Sequence, residues 1–271
     1  MSENTDPFWI TALSKMSVMI GMNPTQTRWR LVRWNEDRKL PVSERRVAPQ
    51  RVEEPSRLLS LSTALAVSFM VIFARMWIAR GGRTEVPNGF YFDFGELWPN
   101  VVGDWWRYLT AAFLHGGVMH ILFNVLALAA IGPQVERVWG RTTMLFLFCT
   151  TAVVGFVASA AFQPDVPTVG ASGGVCGLIG AAAGFGQRLN TSGGKIIRNE
   201  MLKWLAYTII FGFAVKANNW AHAGGALAGA VFGYGVRPRD WKPWMRMVAG
   251  SIGVITTVAT VVFIVTRTTQ W

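Results

Sequence analysis

The chain is poor in charge. Only 15% of its 271 residues are Asp, Glu, Lys or Arg, where a soluble globular domain carries about a quarter. It is also poor in cysteine and histidine. Cys149 and Cys176 both lie within apolar segments, which excludes a disulfide framework and a cysteine metal cluster and leaves small buried thiols. The three histidines, His115, His120 and His222, fit no helical metal motif of the His-Glu-x-x-His kind, so neither a metal nor another cofactor is expected. No basic leader with a short apolar core opens the sequence, and neither end carries a lipidation box, so no cleaved signal peptide is expected.

Apolar and aromatic residues are abundant instead: 51% of the chain is hydrophobic, with 13 Trp and 17 Phe. This excludes disorder and a fibrous protein. The net charge of +11 would suit an acidic partner if it were gathered on one surface. It is instead distributed between long apolar runs. A nucleic-acid role would need a basic groove with interleaved aromatics, so no nucleic acid is expected as a partner. The pattern predicts an all-α, polytopic transmembrane helix bundle in a lipid bilayer.

Residues 1–57 are mostly polar, with a short apolar stretch from Phe8 to Met22 that suits a surface helix at the membrane interface. Prolines 41, 49 and 55 interrupt the mixed charges that follow, as in a linker or a very small cytosolic region. Seven spans are expected near 58–79, 113–132, 143–163, 171–187, 202–216, 219–235 and 246–266. The fourth to sixth are short and rich in Gly or Ala, as in helices packed inside a bundle. With the N-terminus inside, the inner segments hold 20 of the 26 Lys+Arg, in agreement with the positive-inside rule. The N-terminus is then cytoplasmic and the C-terminus outside. Residues 80–112 combine Gly81, Gly82, Pro87, Asn88, Gly89 and Gly95 with eight aromatic residues, among them Trp98, Trp105 and Trp106, and with Leu97. So aromatic a loop is expected to be structured and to lie partly in the outer leaflet.

Polar groups inside spans are costly and call for a reason. His120 and Asn124 fall in the second span, Ser172 in the fourth and His222 in the sixth. These three spans run in the same direction, and each polar residue lies on the order of 10 Å from the outer end at 1.5 Å rise per residue. The four groups therefore share one layer, and His120 and Asn124 share a helix face. Ser172 sits in Gly170-Ala-Ser172-Gly173-Gly174, at a helix start where free N–H groups and the positive dipole end favour a developing negative charge. Gly225, Gly229 and Gly233 run close to the His222 face, and Gly173, Gly177, Gly180 and Gly184 form a second small stripe. Two such helices approach closely and could bring the serine to the histidine, as a general base requires. Taken singly, Ser172 suits close helix packing as well as chemistry, and His222 suits a hydrogen-bonded packing role. His115, at the span boundary, reads as structural.

Trp106-Arg107, His115, His120-Ile-Leu-Phe-Asn124, Gly170-Ala-Ser172-Gly173 and His222-x-x-Gly225-x-x-x-Gly229 together resemble the rhomboid intramembrane serine proteases, over about residues 58–236. The resemblance implies a six-helix protease core, with 237–271 adding a cytosolic linker and a seventh transmembrane helix. It implies Ser172 as nucleophile and His222 as base in a dyad without aspartate. His120 and Asn124 would donate to the oxyanion beside the Ser172 N–H. Gly170 and Gly173 would shape the active-site loop, Trp106 and Arg107 would brace the outer loop, and Gly225 and Gly229 would pack helices. The fifth span, with Trp204, Tyr207 and Phe211, and the loop around Ala217 and Asn218 would form a gate and cap. The implied substrates are single-span membrane proteins. The lack of a transit peptide, with the N-terminus inside, sets the expected location as a bacterial plasma membrane. A catalytically silent relative that binds or remodels membrane clients is the main alternative. A transporter would need internal repeats with paired broken helices or a charged path, and the sequence has neither.

Overall fold

The computed structural model of the chain describes residues 60–82, 90–98, 103–214, 217–238 and 241–268. The chain divides into units 1–54 and 55–271, and every described residue belongs to the second. The expected surface helix at Phe8–Met22 and the linker after it lie outside the described residues.

Among the described residues the regular elements are helices. They are α1 (Leu61–Ala79), α2 (Arg107–Thr110), α3 (Val118–Trp139), α4 (Arg141–Phe162), α5 (Ser172–Leu189), α6 (Ser192–Ala214), α7 (Asn219–Gly235) and α8 (Pro243–Thr268), with 3-10 turns at Phe92–Phe94 and Ala111–Phe113. An isolated antiparallel bridge joins Leu97 to Thr168. Helices α1, α3, α4 and α8 are long and apolar enough to cross a membrane by length and composition. The chain is an integral membrane protein, an all-α polytopic bundle. Large side chains such as Leu227, Val231, Ile255 and Val258 are exposed, as expected where lipid rather than water is the surrounding solvent.

Helix α5 is the central element: 13 of its 18 residues are buried. Its small residues let α7 approach almost backbone to backbone. A Cβ at Gly225 would strike the Gly173 carbonyl oxygen, one at Gly229 that of Gly177, and one at Gly233 that of Ala181. Helix α8 packs on α4, with Gly250 against Thr142 and Gly253 against the Phe146 backbone. It also meets the outer loop, where Phe263 contacts Trp106 at 5.1 Å between ring centroids.

Three helix boundaries differ from the hydropathy reading, each for a physical reason. Helix α3 starts at Val118, because Ala111–Phe113 form a separate 3-10 turn. His115 therefore lies in a connection. The same helix runs through Pro133 to Trp139, beyond the expected end at 132. The buried Glu136 on that last stretch accepts from Ser62 N at 2.6 Å, and Gly140 at φ +101° ends it. Helix α6 starts at Ser192 rather than near 202, since backbone hydrogen bonding tolerates the charged residues that hydropathy rejects.

The aromatic loop is an ordered element in its described parts. Phe90, Tyr91, Phe94 and Leu97 are buried. Arg107, only 4% exposed, organises it. Its guanidinium donates to Asp104 Oδ2 at 2.7 Å and to the Phe92 and Glu96 carbonyls, and lies over the Phe92 ring. Leu97 and Thr168 exchange backbone hydrogen bonds, and Gly170 N donates to Ala111 O. The outer loop thus holds the segment that leads into α5.

Candidate active site

Ser172 is the first residue of α5, where the N–H groups of the opening turn have no partner within the helix. His222 lies in the first turn of α7. Asn218 caps that helix, its side-chain oxygen accepting from Trp220 N and Ala221 N. The Asn218 amide nitrogen donates to Ser159 Oγ at 2.6 Å and to Thr168 Oγ1 at 3.1 Å, anchoring the α6–α7 connection to the end of α4. The close α5–α7 packing sets Ser172 Oγ 2.7 Å from His222 Nε2. His222 is buried, while Ser172 is partly exposed.

The pair opens onto a cavity of about 540 Å³ whose lining includes His120, Thr168, Gly170, Phe211, Ala217 and Asn218. His120 stands against Gly170, which has φ +129°. A Cβ at Gly170 would fall 2.6 Å from the imidazole, so both the backbone angle and the space require glycine. Gly173 continues the turn, and its carbonyl meets Gly225. Asn124 is buried one turn below His120 and donates from Nδ2 to the His120 carbonyl at 2.9 Å. It is not among the cavity-lining residues, although an amide nitrogen keeps a second N–H. His115 is 1% exposed. It packs its ring against Phe69 and His120, each at 5.3 Å, as suits a structural residue.

Trp106 packs away from the cavity, on α8. On α6, Phe211 touches Phe123 of α3 at 4.3 Å between centroids, so the expected gate helix borders the second span at cavity level. Trp204 and Tyr207 of the same helix are exposed.

Two residues were not picked out by sequence reasoning. Asn219 accepts from His222 Nδ1 at 2.9 Å, supplying the contact that a missing aspartate leaves open. Its signal was present, since it lies three residues before His222 and hence on the same helix face. The buried Glu136 was a second missed signal, an acid among apolar residues near a span end.

Chemically, this is a polytopic membrane protein with a serine hydroxyl at a helix N-terminus, in hydrogen-bond contact with a buried imidazole at a cavity. The Rhomboid domain model matches residues 102–239, half of the chain, and the chain belongs to the rhomboid family. It is 31% identical over 168 residues to the rhomboid protease GluP of Bacillus subtilis, covering 62% of this chain and 33% of that protein. Over 194 residues it is 29% identical to the rhomboid protease AarA of Providencia stuartii, covering 62% of this chain and 69% of that one. RHOMBOID-like protein 4 of Arabidopsis thaliana is 32% identical over 143 residues, covering 52% of this chain and 36% of that one. The matched stretch thus spans about a third of GluP and of the plant relative.

Proposed function

We propose that the chain is an intramembrane serine endopeptidase that cuts transmembrane segments of membrane proteins with a Ser172–His222 dyad, near the outer face of the membrane. The observation that carries this is the 2.7 Å contact between Ser172 Oγ and His222 Nε2 at the edge of a cavity. His222 takes the Ser172 proton as Oγ attacks the substrate carbonyl. The oxyanion forms at the start of α5, where the Ser172 N–H, His120 and the second N–H of Asn124 are the donors. His222 then protonates the leaving amine, and water entering the cavity hydrolyses the acyl-enzyme. Gly170 and Gly173 shape the loop at the serine, and Gly225 and Gly229 bring the two helices together. Irregular backbone at this depth is tolerated because it lines the cavity.

The protease core is 58–236, with the 80–112 loop as a membrane-associated part braced by Trp106 and Arg107. Residues 1–57 form a cytosolic N-terminal region. Residues 237–271 carry a cytosolic linker and the seventh helix. The distribution of Lys and Arg supports a cytoplasmic N-terminus and an outside C-terminus, and the membrane we propose is a bacterial plasma membrane. Substrates are single-span proteins that enter past α6.

The test is cleavage of a tagged single-span substrate co-reconstituted in liposomes, comparing wild type with Ser172→Ala. Cutting by wild type alone is expected. Failure of both across several substrates with helix-breaking residues near the outer boundary overturns the reading in favour of a client-binding protein. Equal cutting by both removes Ser172 as nucleophile.

A further inference from the structure

We infer that Asn219 is a positioning residue that holds His222 in the single tautomer able to accept the Ser172 proton, and that helix α6 sets the orientation of the Asn219 amide. The inference rests on the proposed dyad. The hydrogen bonds run in one consistent direction. The Ile209 carbonyl on α6 can only accept, and it lies 3.3 Å from Asn219 Nδ2. That contact turns the amide nitrogen toward α6 and Oδ1 toward His222. Oδ1 can only accept, and it lies 2.9 Å from His222 Nδ1, so Nδ1 carries the proton. A neutral imidazole has one N–H, which leaves the Nε2 lone pair facing Ser172 Oγ at 2.7 Å. Only the serine hydroxyl can donate across that contact, as a general base requires. Turning the amide over would oppose two acceptors at Ile209. It would also move the imidazole proton to Nε2, from which the ring cannot take the serine's proton.

Asn219 thus fills the orienting place that a carboxylate holds in a three-residue triad, without a charge that would be costly inside the bundle. Beside the Ile209 carbonyl lies Gly212, where a Cβ would strike Asn219 Oδ1. The tautomer of the base is therefore tied to the seating of α6.

The test uses the full chain in liposomes, with Asn219→Leu, Asn219→Asp and Gly212→Ala. Readouts are kcat and KM on a tagged substrate, the rate of Ser172 labelling by a fluorophosphonate, and the 15N spectrum of the His222 ring. Asn219→Leu, similar in volume and without hydrogen bonds, is expected to lower kcat and labelling about 100-fold at unchanged KM and to mix the tautomers. Asn219→Asp keeps the acceptor toward His222 while its second oxygen opposes the Ile209 carbonyl, and is expected to lose less of the rate than Asn219→Leu. Gly212→Ala is expected to lower kcat although it removes no hydrogen-bonding group. A wild-type spectrum with the proton on Nε2, an unchanged kcat in Asn219→Leu, or equal losses in Leu and Asp overturns the inference. Labelling of wild type but not of Ser172→Ala or His222→Ala keeps the dyad reading whichever way the Asn219 variants fall. Absence of both labelling and cleavage in wild type removes the two together.

Discussion

Replacing Gly225 by alanine adds one methyl group where helix α5 has its backbone. Gly225 lies one turn beyond His222 on α7 and faces the carbonyl oxygen of Gly173, the residue next to Ser172. The obstacle is main chain rather than the end of a flexible side chain, so relief requires the helices to part. Restoring an ordinary contact of about 3.5 Å needs a separation of roughly 1.5 Å, because the methyl would otherwise lie well inside the oxygen's radius. The Ser172–His222 contact, now 2.7 Å, spans the same gap. Stretched by roughly 1.5 Å it passes well beyond the limit at which a hydrogen bond exists. Two effects follow: overpacking destabilises the bundle by about 1–3 kcal/mol, and a 1 Å misplacement lowers turnover about 100-fold. Thermal unfolding in detergent and cleavage in liposomes read the two separately. Gly235→Ala is the control, because a Cβ there meets nothing within 4 Å. A Gly225→Ala protein with wild-type turnover and an unchanged melting temperature would refute the claim that backbone contact between α5 and α7 sets the dyad distance.

Three further outcomes are expected. Arg107→Ala should lower thermal stability by about 2 kcal/mol or more, since it strips the Phe92 and Glu96 carbonyls and Asp104 of a buried charged donor, and calorimetry would read the loss. Glu96 is held above the usual carboxylate range, because burial outweighs the hydrogen bond from Trp98 and the charge of Arg107. The folded state therefore binds its proton more tightly than the unfolded chain. The resulting stability is fully present below the unfolded value and is lost as pH rises through the folded one. Melting temperatures across roughly pH 4 to 7 should show that slope in wild type and a smaller one in Glu96→Gln; equal slopes would contradict it. Asn124→Ala should lower kcat about 100-fold with the melting temperature little changed, and undiminished turnover would remove Asn124 from the oxyanion donors.

The helical segments were legible in the sequence because they depend on local properties: hydropathy over about 20 residues and rise per residue. His120, Ser172 and His222 each fall in the opening turn of a helix, as that arithmetic implies. Rotation of one helix about its axis and its seating against another are not local. They decide that Gly225 meets Gly173, that Ser172 Oγ reaches His222 Nε2, that Arg107 gathers three acceptors of its loop, and that Trp106 finds Phe263 on α8. They also decide that the Asn219 amide meets the Ile209 carbonyl on α6 while Asn218 reaches Ser159 on α4 and Thr168. One position along a helix turns a side chain by about 100 degrees. Which of two adjacent asparagines meets α6 and which meets α4 was therefore settled only once those helices had packed on α7.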